Sequence, residues 1–266
     1  MPNRRENRQT PPIQSLDRGL VILEAVARSG EPVSLNELTE LLRVDRSSAF
    51  RLANTLKRRG FLAYPGGRRD YILGPSIWRL SRRYDWSNML IRVSHEQLKL
   101  LAALTRETAH LAIREGANAL FIDHVTTNHV IAVSGQTGEL VPLYCTAHGK
   151  AMLADLGKTE LRALFGRAPL RAYTKQTIVS LDKLAKACTE IQAQGFATDD
   201  GEYTEGTRCV AAPIRGEDGD IVGSIGISAP ALRFAEEQCH ACGEQVRKIA
   251  AAVQLALRNH QDDDAA

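Results

Sequence analysis

The segment 34–60 constrains the fold of this chain most strongly, because it predicts two short helices joined by a tight turn. The second helix has two unlike faces when successive residues are placed about 100° apart. Its apolar face consists of Ala49, Leu52, Ala53 and Leu56, and its opposite face of Ser47, Phe50, Arg51, Asn54 and Arg58. A helix that packs on one side and offers guanidinium, amide and hydroxyl groups on the other is suited to the major groove of DNA.

Residues at the ends of these helices support this interpretation. Ser34 followed by Glu37 is a capping box, and Asp45 is placed to cap the second helix. Gly60 follows the second helix and readily takes the left-handed conformation that ends helices. An earlier segment has helical apolar spacing at Leu16, Leu20, Ile22, Leu23 and Val26. The sequence therefore predicts three helices before residue 60.

A β-hairpin is predicted directly after the third helix. Two extended runs, 61–64 and 71–73, flank the turn sequence PGGRRD, which places Arg68 and Arg69 at the tip beside the DNA backbone or minor groove. Three helices and a hairpin form a winged helix-turn-helix. The expected DNA-contacting residues are Arg46, Ser47, Ser48, Phe50, Arg51, Asn54, Arg58, Arg68 and Arg69.

The distribution of charge favours a polyanionic partner at one end of the chain. Residues 1–75 contain 13 Lys and Arg against 8 Asp and Glu, a net charge of +5, whereas residues 76–266 contain 21 against 23, a net charge of −2. This asymmetry is typical of nucleic-acid binding. The alternative is an amphipathic helical hairpin inside a larger fold, with its arginines merely solvated.

Length and composition indicate two domains with substantial cores, since the chain has 266 residues of which 44% are hydrophobic. We expect a flexible basic tail over 1–12, the DNA-binding domain over 13–75, a linker helix over 76–90, a second domain over 91–260 and a disordered acidic tail over 261–266. No signal peptide or membrane span is visible, and five scattered cysteines argue against a disulfide framework. We therefore expect a cytoplasmic protein without a membrane partner.

The second domain is predicted to be α+β. Strand-like runs cover 121–125, 130–133, 209–214 and 221–228, and helical patterns cover 148–165, 181–194 and 234–258. Strands with interspersed and flanking helices are typical of small-molecule sensor domains.

From about residue 13 to 258 the chain resembles the IclR-family transcriptional regulators. The resemblance is carried by SLDRGL at 15–20, RSSAFRL at 46–52, YILG at 71–74, TAHLA at 108–112, PLYCTAHGKA at 142–151 and GTRCVAAP at 206–213. It implies an N-terminal winged helix-turn-helix (all-α with a β-hairpin wing), a linker helix and a GAF-like α+β effector-binding domain. It also implies a double-stranded DNA operator, homodimers or dimers of dimers, and control of a catabolic operon by a small organic effector.

The resemblance further places the effector pocket around the PLYCTAHGKA loop at 142–151. Thr146, Ala147 and His148 are carried over from this loop, although His148 departs from the smaller or apolar residue usual in the family. Asp199 and Glu202 are carried over from the segment 199–203, together with Cys209 and with Ser228 further along the chain. N–H groups at the helix start after Thr146 attract a carboxylate, and an aromatic content of only 5% favours a small polar or carboxylic effector.

Plainer structural roles remain open for several of these residues. Cys209 in the CVAAP run is equally consistent with a core side chain, because cysteine is among the most buried residue types. Asp199 and Glu202 are equally consistent with surface turn or cap residues. Lys150 is expected to be a structural surface residue rather than a ligand anchor.

Two other function classes are weighed against the regulator. A thiol–imidazole pair of Cys145 or Cys209 with His148 would suit an enzyme, but no orienting third residue stands at a recognisable spacing. The same three residues suit a thiol- or metal-dependent redox sensor, as does the C-x-x-C spacing of Cys239 and Cys242, which lacks a second pair. We expect no enzymatic activity, no metal and no cofactor.

Overall fold

The computed structural model describes residues 13–264 other than 67–68, 82–84, 128, 130–131, 134 and 168, with their side chains except at 85–87 and 260–264. The predicted basic tail and the wing residue Arg68 lie outside the described residues. The chain divides into two compact units, with the boundary in sequence between Asp85 and Trp86.

The first unit is a three-helix domain with a short hairpin. Its elements are α1 (Gln14–Ser29), α2 (Leu35–Leu42), α3 (Arg46–Arg58), β1 (Leu62–Ala63), β2 (Ile72–Leu73) and α4 (Pro75–Ser81). The two strands pair in antiparallel fashion, and an isolated bridge joins Val33 to Tyr71. This is the helix-turn-helix with a hairpin wing that the sequence predicts.

The helix-capping residues of this unit adopt the roles predicted from the sequence. The Ser34 hydroxyl accepts a hydrogen bond from the Glu37 amide and the Glu37 carboxylate accepts one from the Ser34 amide, which completes the capping box. Gly60 follows α3 with φ +78°. The core contains Ile22 and Val26 of α1, whereas Leu16 and Leu20 are 61% and 51% exposed although the spacing assigns them to the same apolar set.

The predicted linker helix 76–90 is wrong in extent. Helix α4 ends at Ser81, and the next helix, α5 (Asp85–Thr105), continues well into the segment assigned to the second domain. Residues 85–105 contain neither glycine nor proline. Nothing in the segment therefore ends the helix near residue 90.

The second unit is built on an antiparallel sheet. Its strands are β3 (Thr108–Glu115), β4 (Asn118–Val125), β5 (Leu140–Pro142), β6 (Ala197–Asp200), β7 (Thr207–Arg215) and β8 (Ile221–Pro230), in the order β5-β4-β3-β8-β7-β6. Its further helices are α6 (Ala147–Met152), α7 (Lys158–Phe165), α8 (Leu181–Gln194) and α9 (Glu236–Asp264). Among the described helices, none combines the length and apolar character needed to cross a membrane.

Each face of this sheet is covered by helices. Leu111, Val210 and Ile225 pack towards α5 and α9, and form the larger core with side chains of those helices. The opposite face packs against α6, α7 and α8. Because successive strand residues point to opposite faces, His110 lies on the α6 side while its neighbour Leu111 lies in the larger core.

Three predicted elements differ from the structure. Ala132 and Val133 belong to no strand, and β4 pairs instead with β5, while residues 130–131 lie outside the description. The predicted helix 148–165 is two helices, α6 and α7, because the segment between them carries the N-cap Gly157. Residues 261–264 continue α9 and are not the predicted disordered tail.

Gly149 allows α6 to pack closely against the backbone of Leu143, which lies between β5 and α6. A Cβ atom at this position would overlap the backbone of Leu143, including its carbonyl oxygen. We expect Gly149→Ala to lower the free energy of unfolding by about 1–3 kcal/mol, as overpacking commonly does. Urea denaturation followed by circular dichroism measures this.

Gly157→Ala is the matched control. Its added Cβ would meet only the Glu160 carboxylate oxygen at an ordinary 3.5 Å, and the backbone φ of −76° suits any residue. We expect a loss of no more than about 1 kcal/mol from the weaker cap. Equal destabilisation by both substitutions would contradict the role assigned to Gly149.

Candidate functional site

The first turn of α3 is organised by Asp45. Its carboxylate accepts hydrogen bonds from the Ser47 hydroxyl (2.5 Å), the Ser48 hydroxyl (2.7 Å) and the Ser48 amide (2.9 Å). These hydrogen bonds hold the pKa of Asp45 well below its usual range, and the largest contribution comes from the Ser47 hydroxyl. The Arg46 guanidinium donates to the side-chain oxygen of Asn36, which links α3 to α2.

The outer face of α3 is accessible as the sequence predicts. Phe50, Arg51 and Arg58 are exposed, and Asn54 is half-buried between them. Arg69 of the wing is also exposed. Ser47 and Ser48 are on the same end of the helix, but their hydroxyls are engaged with Asp45.

A groove beside this face involves residues that sequence reasoning missed. Gln14, Ser15 and Arg18 of α1 line it together with Ser48, Arg51, Leu52 and Thr55 of α3. The groove therefore gathers two guanidinium groups, those of Arg18 and Arg51. The charge of Arg18 is visible in the sequence, but the packing that brings α1 beside α3 is not.

The second unit contains a cavity of about 210 Å³ between the sheet and α6. Six of the seven predicted effector residues line it: Thr146, Ala147, His148, Asp199, Cys209 and Ser228. The other lining residues were not predicted: His110, Phe121, Val133, Gly135, Glu139, Val141, Tyr203, Thr204 and Thr207. Glu202 does not line the cavity.

Three aromatic rings form one wall of the cavity. The ring centroids of His110 and Phe121 are 4.8 Å apart, and those of Phe121 and His148 are 5.3 Å apart. The two imidazoles lie 6.0 Å apart in an edge-to-face arrangement. Tyr203 adds a fourth ring to the lining. Although only 5% of the residues are Phe, Trp or Tyr, this cavity is lined by several rings, two of them histidines.

Both histidines carry unsatisfied ring nitrogens. The structure places His148 Nδ1 3.0 Å from the Ser224 hydroxyl, but among the described residues its Nε2 and both nitrogens of His110 have no hydrogen-bond partner. Burial lowers the pKa of His148 to about 3, and burial with the nearby His148 and His124 lowers that of His110 to about 3. Each unsatisfied buried polar group costs about 1–3 kcal/mol.

Asp199 and Cys209 lie on neighbouring strands, facing each other across β6 and β7. Asp199 Oδ1 accepts a hydrogen bond from the Glu202 amide at 2.7 Å, yet burial raises the Asp199 pKa to about 7. The Cys209 thiol donates to the Ser228 hydroxyl at 3.3 Å. Asp199 and Cys209 are therefore cavity residues, and Asp199 is not the surface turn residue that the sequence left open.

The helix predicted to start after Thr146 is α6. The Thr146 hydroxyl accepts from the Gly149 amide at 3.1 Å and donates to the Pro142 carbonyl at 2.9 Å. The Gly149 amide, one of the N–H groups expected to attract a carboxylate ligand, is therefore already hydrogen-bonded to the Thr146 side chain.

Burial disfavours ionisation of the thiols. Burial raises the pKa of Cys145 and of Cys242 to about 12, and also raises those of Cys209 and Cys239. All of these cysteines are free, and no cluster of three or more His, Cys, Asp or Glu within the described chain is arranged to hold a metal ion. Thiolate is the reactive form of cysteine, so these values disfavour thiol chemistry.

Two family models match the chain in sequence order. Residues 15–66 match the IclR helix-turn-helix domain, and residues 85–255 match the C-terminal domain of the bacterial transcriptional regulator IclR. The chain belongs to the IclR family. It is a DNA-binding, effector-responsive transcriptional regulator, and the thiol- or metal-dependent redox sensor is not supported.

Individual IclR-family proteins resemble the chain over nearly its whole length. The transcriptional repressor IclR of Escherichia coli K12 is 31% identical over 249 residues, which cover 93% of this chain and 91% of that protein. The regulator KdgR of the same organism is 29% identical over 238 residues, or 90% of each chain.

Solved IclR-family structures share the fold. The crystal structure of Thermotoga maritima IclR has a TM-score of 0.71 and 26% identity, and the match covers 92% of this chain and 99% of that one. An IclR homologue from Microbacterium hydrocarbonoxydans, solved in complex with 4-hydroxybenzoate, has a TM-score of 0.80 at 21% identity over the same shares of the two chains.

In this IclR-family chain, Lys150 is not the surface residue that the sequence suggests. It is 5% exposed and forms an ion pair with Glu202, which is 7% exposed. The second carboxylate oxygen of Glu202 has no partner within the described residues. Glu202 therefore attaches the segment after β6 to α6 and does not contact the cavity.

We expect Lys150→Met to lower the free energy of unfolding by about 3–5 kcal/mol, because it leaves a buried carboxylate without its counter-ion. Urea denaturation at neutral pH measures the loss. Lys158→Met is the control, since Lys158 and Asp182 form an ion pair whose side chains are 54% and 70% exposed. Such a pair contributes about 0–1 kcal/mol, so equal losses in the two variants would contradict this account.

Proposed function

We propose that this regulator represses transcription by binding an operator through the outer face of α3, and that a small organic effector in the 210 Å³ cavity controls the binding. The observation that best supports the proposal is the cavity itself. It is lined by buried polar groups without partners, which is costly in an empty protein and favourable once a ligand pairs with them.

The DNA contacts are assigned to the exposed end and face of α3 and to the wing. Arg51 and Asn54 carry the donor groups that read guanine and adenine edges, and the remaining cations suit phosphate. The full set comprises Arg46, Ser47, Ser48, Phe50, Arg51, Asn54, Arg58, Arg68 and Arg69. Arg18, beside Arg51 in the α1–α3 groove, is added to it.

The effector is assigned to the cavity-lining residues Thr146, Ala147, His148, Asp199, Cys209 and Ser228, with Glu202 in a supporting role through Lys150. Regulation requires that the effector bind the DNA-bound and free forms with different affinity. By linkage, operator DNA must then change effector affinity by the same factor. The regulated genes on this proposal are catabolic, and the protein has no catalytic activity of its own.

Self-association is assigned to the first unit. Ile13, which directly precedes α1, is 69% exposed, Leu16 and Leu20 of α1 are 61% and 51% exposed, and Leu80 of α4 is 58% exposed. Exposed apolar side chains of this size favour burial against a second copy. A dimer would also match an operator with two half-sites about 34–36 Å apart.

We expect Arg51→Ala to weaken binding to DNA from upstream of the protein's own gene by about 1–3 kcal/mol, because a bidentate contact to a base is lost. Fluorescence anisotropy against a scrambled duplex, over a salt titration, measures both specificity and electrostatics. Arg28→Ala, which removes an exposed charge from the last turn of α1, is the control. Unchanged specific affinity in Arg51→Ala would rule out α3 as the reading helix.

We expect the double substitution of Leu16 and Leu20 by Glu to convert a dimer to a monomer and to weaken operator binding, since four charges would be buried in a symmetric interface. Sedimentation velocity at micromolar protein measures the mass. Leu41→Glu, at an equally exposed leucine of α2, should leave the mass of the dimer unchanged. A double variant with the wild-type mass would place the interface elsewhere.

A further inference from the structure

We propose that His95 of α5 and Asp123 of β4 are the positioning residues that couple the cavity to α5, and through α5 to operator binding. Neither residue lines the cavity. This inference rests on the proposed function, because it names the residues through which an effector acts on the DNA-binding unit. The coupling element is a bulge in β4 that contacts the cavity on one face of the sheet and the helix on the other.

Strand β4 contains a β-bulge at Ile122. Leu111 of β3 pairs with Asp123 and the next residue, Ala112, pairs with Phe121, so Ile122 is an extra residue in the ladder. Side chains alternate along a regular strand, so Phe121 and Asp123 would otherwise face the same side of the sheet. Because of the bulge, Phe121 lines the cavity whereas Asp123 reaches α5 on the opposite face.

The Asp123 carboxylate attaches both the helix and the strand backbone. Its Oδ2 accepts a hydrogen bond from His95 Nδ1 at 2.7 Å, and its Oδ1 accepts one from the main-chain amide of His124 at 2.9 Å. The side chains of His95 and Asp123 are 40% and 16% exposed. The pair is therefore partly shielded from water, and one carboxylate fixes α5 to the bulged part of β4.

Two side chains connect this part of β4 to the cavity. Phe121 lines the cavity itself. The ring of His124 stacks on that of His110, another lining residue, with the ring centroids 6.3 Å apart, and the rings of His110 and Phe121 are 4.8 Å apart. A ligand that displaces either lining ring therefore acts on β4 within two residues of Asp123.

The apolar row by which α5 packs on the sheet is interrupted beside His95. Leu90 and Leu98 are fully buried in the larger core, and Ser94 occupies the position between them on the same helix face. The buried hydroxyl of Ser94 has no hydrogen-bond partner within the described part of the chain. Serine buries less apolar area than leucine, and an unpaired hydroxyl opposes burial. The contact between His95 and Asp123 thus attaches α5 at a turn where apolar packing is weaker.

Helix α5 is the element that follows the DNA-binding unit in sequence. It begins at Asp85, at the boundary between the two units, and continues to Thr105 without a glycine or proline that would kink it. His95 lies roughly 15 Å along the axis from the start of the helix. A shift of α5 at His95 therefore moves its first turn as well.

Coupling of this kind requires two arrangements of the bulge, of which the effector-bound and the DNA-bound forms prefer different ones. Binding energies are reciprocal between coupled sites. A substitution that presses on the cavity rings must therefore change operator affinity, and operator DNA must change the protection of β4.

Gly135→Ala presses on the cavity rings without an effector. Its Cβ would lie 3.1 Å from ring carbons of both His110 and Phe121, which is tighter than ordinary packing, and the backbone of Gly135 is not left-handed. We expect operator affinity, measured by fluorescence anisotropy with DNA from upstream of the protein's own gene, to change by about threefold or more. Gly216→Ala is the matched control, because its Cβ would lie equally close to Val222, outside the cavity lining, and we expect a change below about twofold.

Variants of His95 test whether this effect passes through its hydrogen bond. His95→Phe keeps a ring and removes the donor, whereas His95→Asn keeps a donor at a similar distance from the backbone. The three residues have similar helix propensities. We expect Gly135→Ala to lose its effect on operator affinity in the His95→Phe background and to keep it in His95→Asn. Glu96→Gln, which breaks the exposed pair with Lys99 on the same helix, should also leave the effect in place.

Hydrogen exchange followed by mass spectrometry provides a second measurement that needs no change in the cavity. We expect operator DNA to change the exchange rate of amides in 118–125 in the wild type and in His95→Asn, but not in His95→Phe. Circular dichroism confirms that each variant is folded. A purely structural role of His95 would lower stability without removing the dependence of one site on the other.

An effect of Gly135→Ala that persists in folded His95→Phe would overturn the inference, as would β4 exchange that operator DNA leaves unchanged in the wild type. Equal effects of Gly135→Ala and Gly216→Ala would also overturn it. If the wild type still distinguishes operator DNA from a scrambled duplex, these results mean that only this inference has failed. A wild type that binds both duplexes equally means that the proposed function has failed.

Discussion

The buried ion pair between Lys150 and Glu202 attaches α6, which forms part of the cavity lining, to the segment after β6. Helix α6 has six residues, too few to be stable on its own. Its position therefore depends on tertiary contacts, and Gly149 allows it to approach the backbone of Leu143. The same short helix holds His148 over the sheet, so the ion pair that attaches the helix also positions one wall of the cavity.

The parts of the structure that could be predicted from the sequence depend on interactions between residues close together along the chain. Ser34 and Glu37 form their capping box within four positions of the chain, and Asp45 caps α3 within three. The two faces of α3 follow from helical geometry alone. The family resemblance, rather than any pattern of spacing, supplied the predicted cavity residues at the start of α6 and on β6, β7 and β8.

The parts that sequence reasoning missed depend on strand register and distant partners. His110 and Phe121 reach the cavity because β3 pairs with β4 and β8 in one particular register, which alternation alone does not reveal. Lys150 was expected at the surface because lysine is seldom buried, and its partner Glu202 lies 52 residues away. Of the strand expected at 130–133, the described residues Ala132 and Val133 belong to no strand, and β4 pairs with β5 instead.

Each unit has its own hydrophobic core. The buried apolar cluster of the first unit draws on residues 22–71, and the clusters of the second unit draw on residues 90–257. Substitutions at distant sites without shared partners have nearly additive effects on stability. A descendant of this chain could therefore acquire a new operator preference in the first unit and a new effector preference in the second as separate evolutionary events, each limited by the stability margin of its own unit.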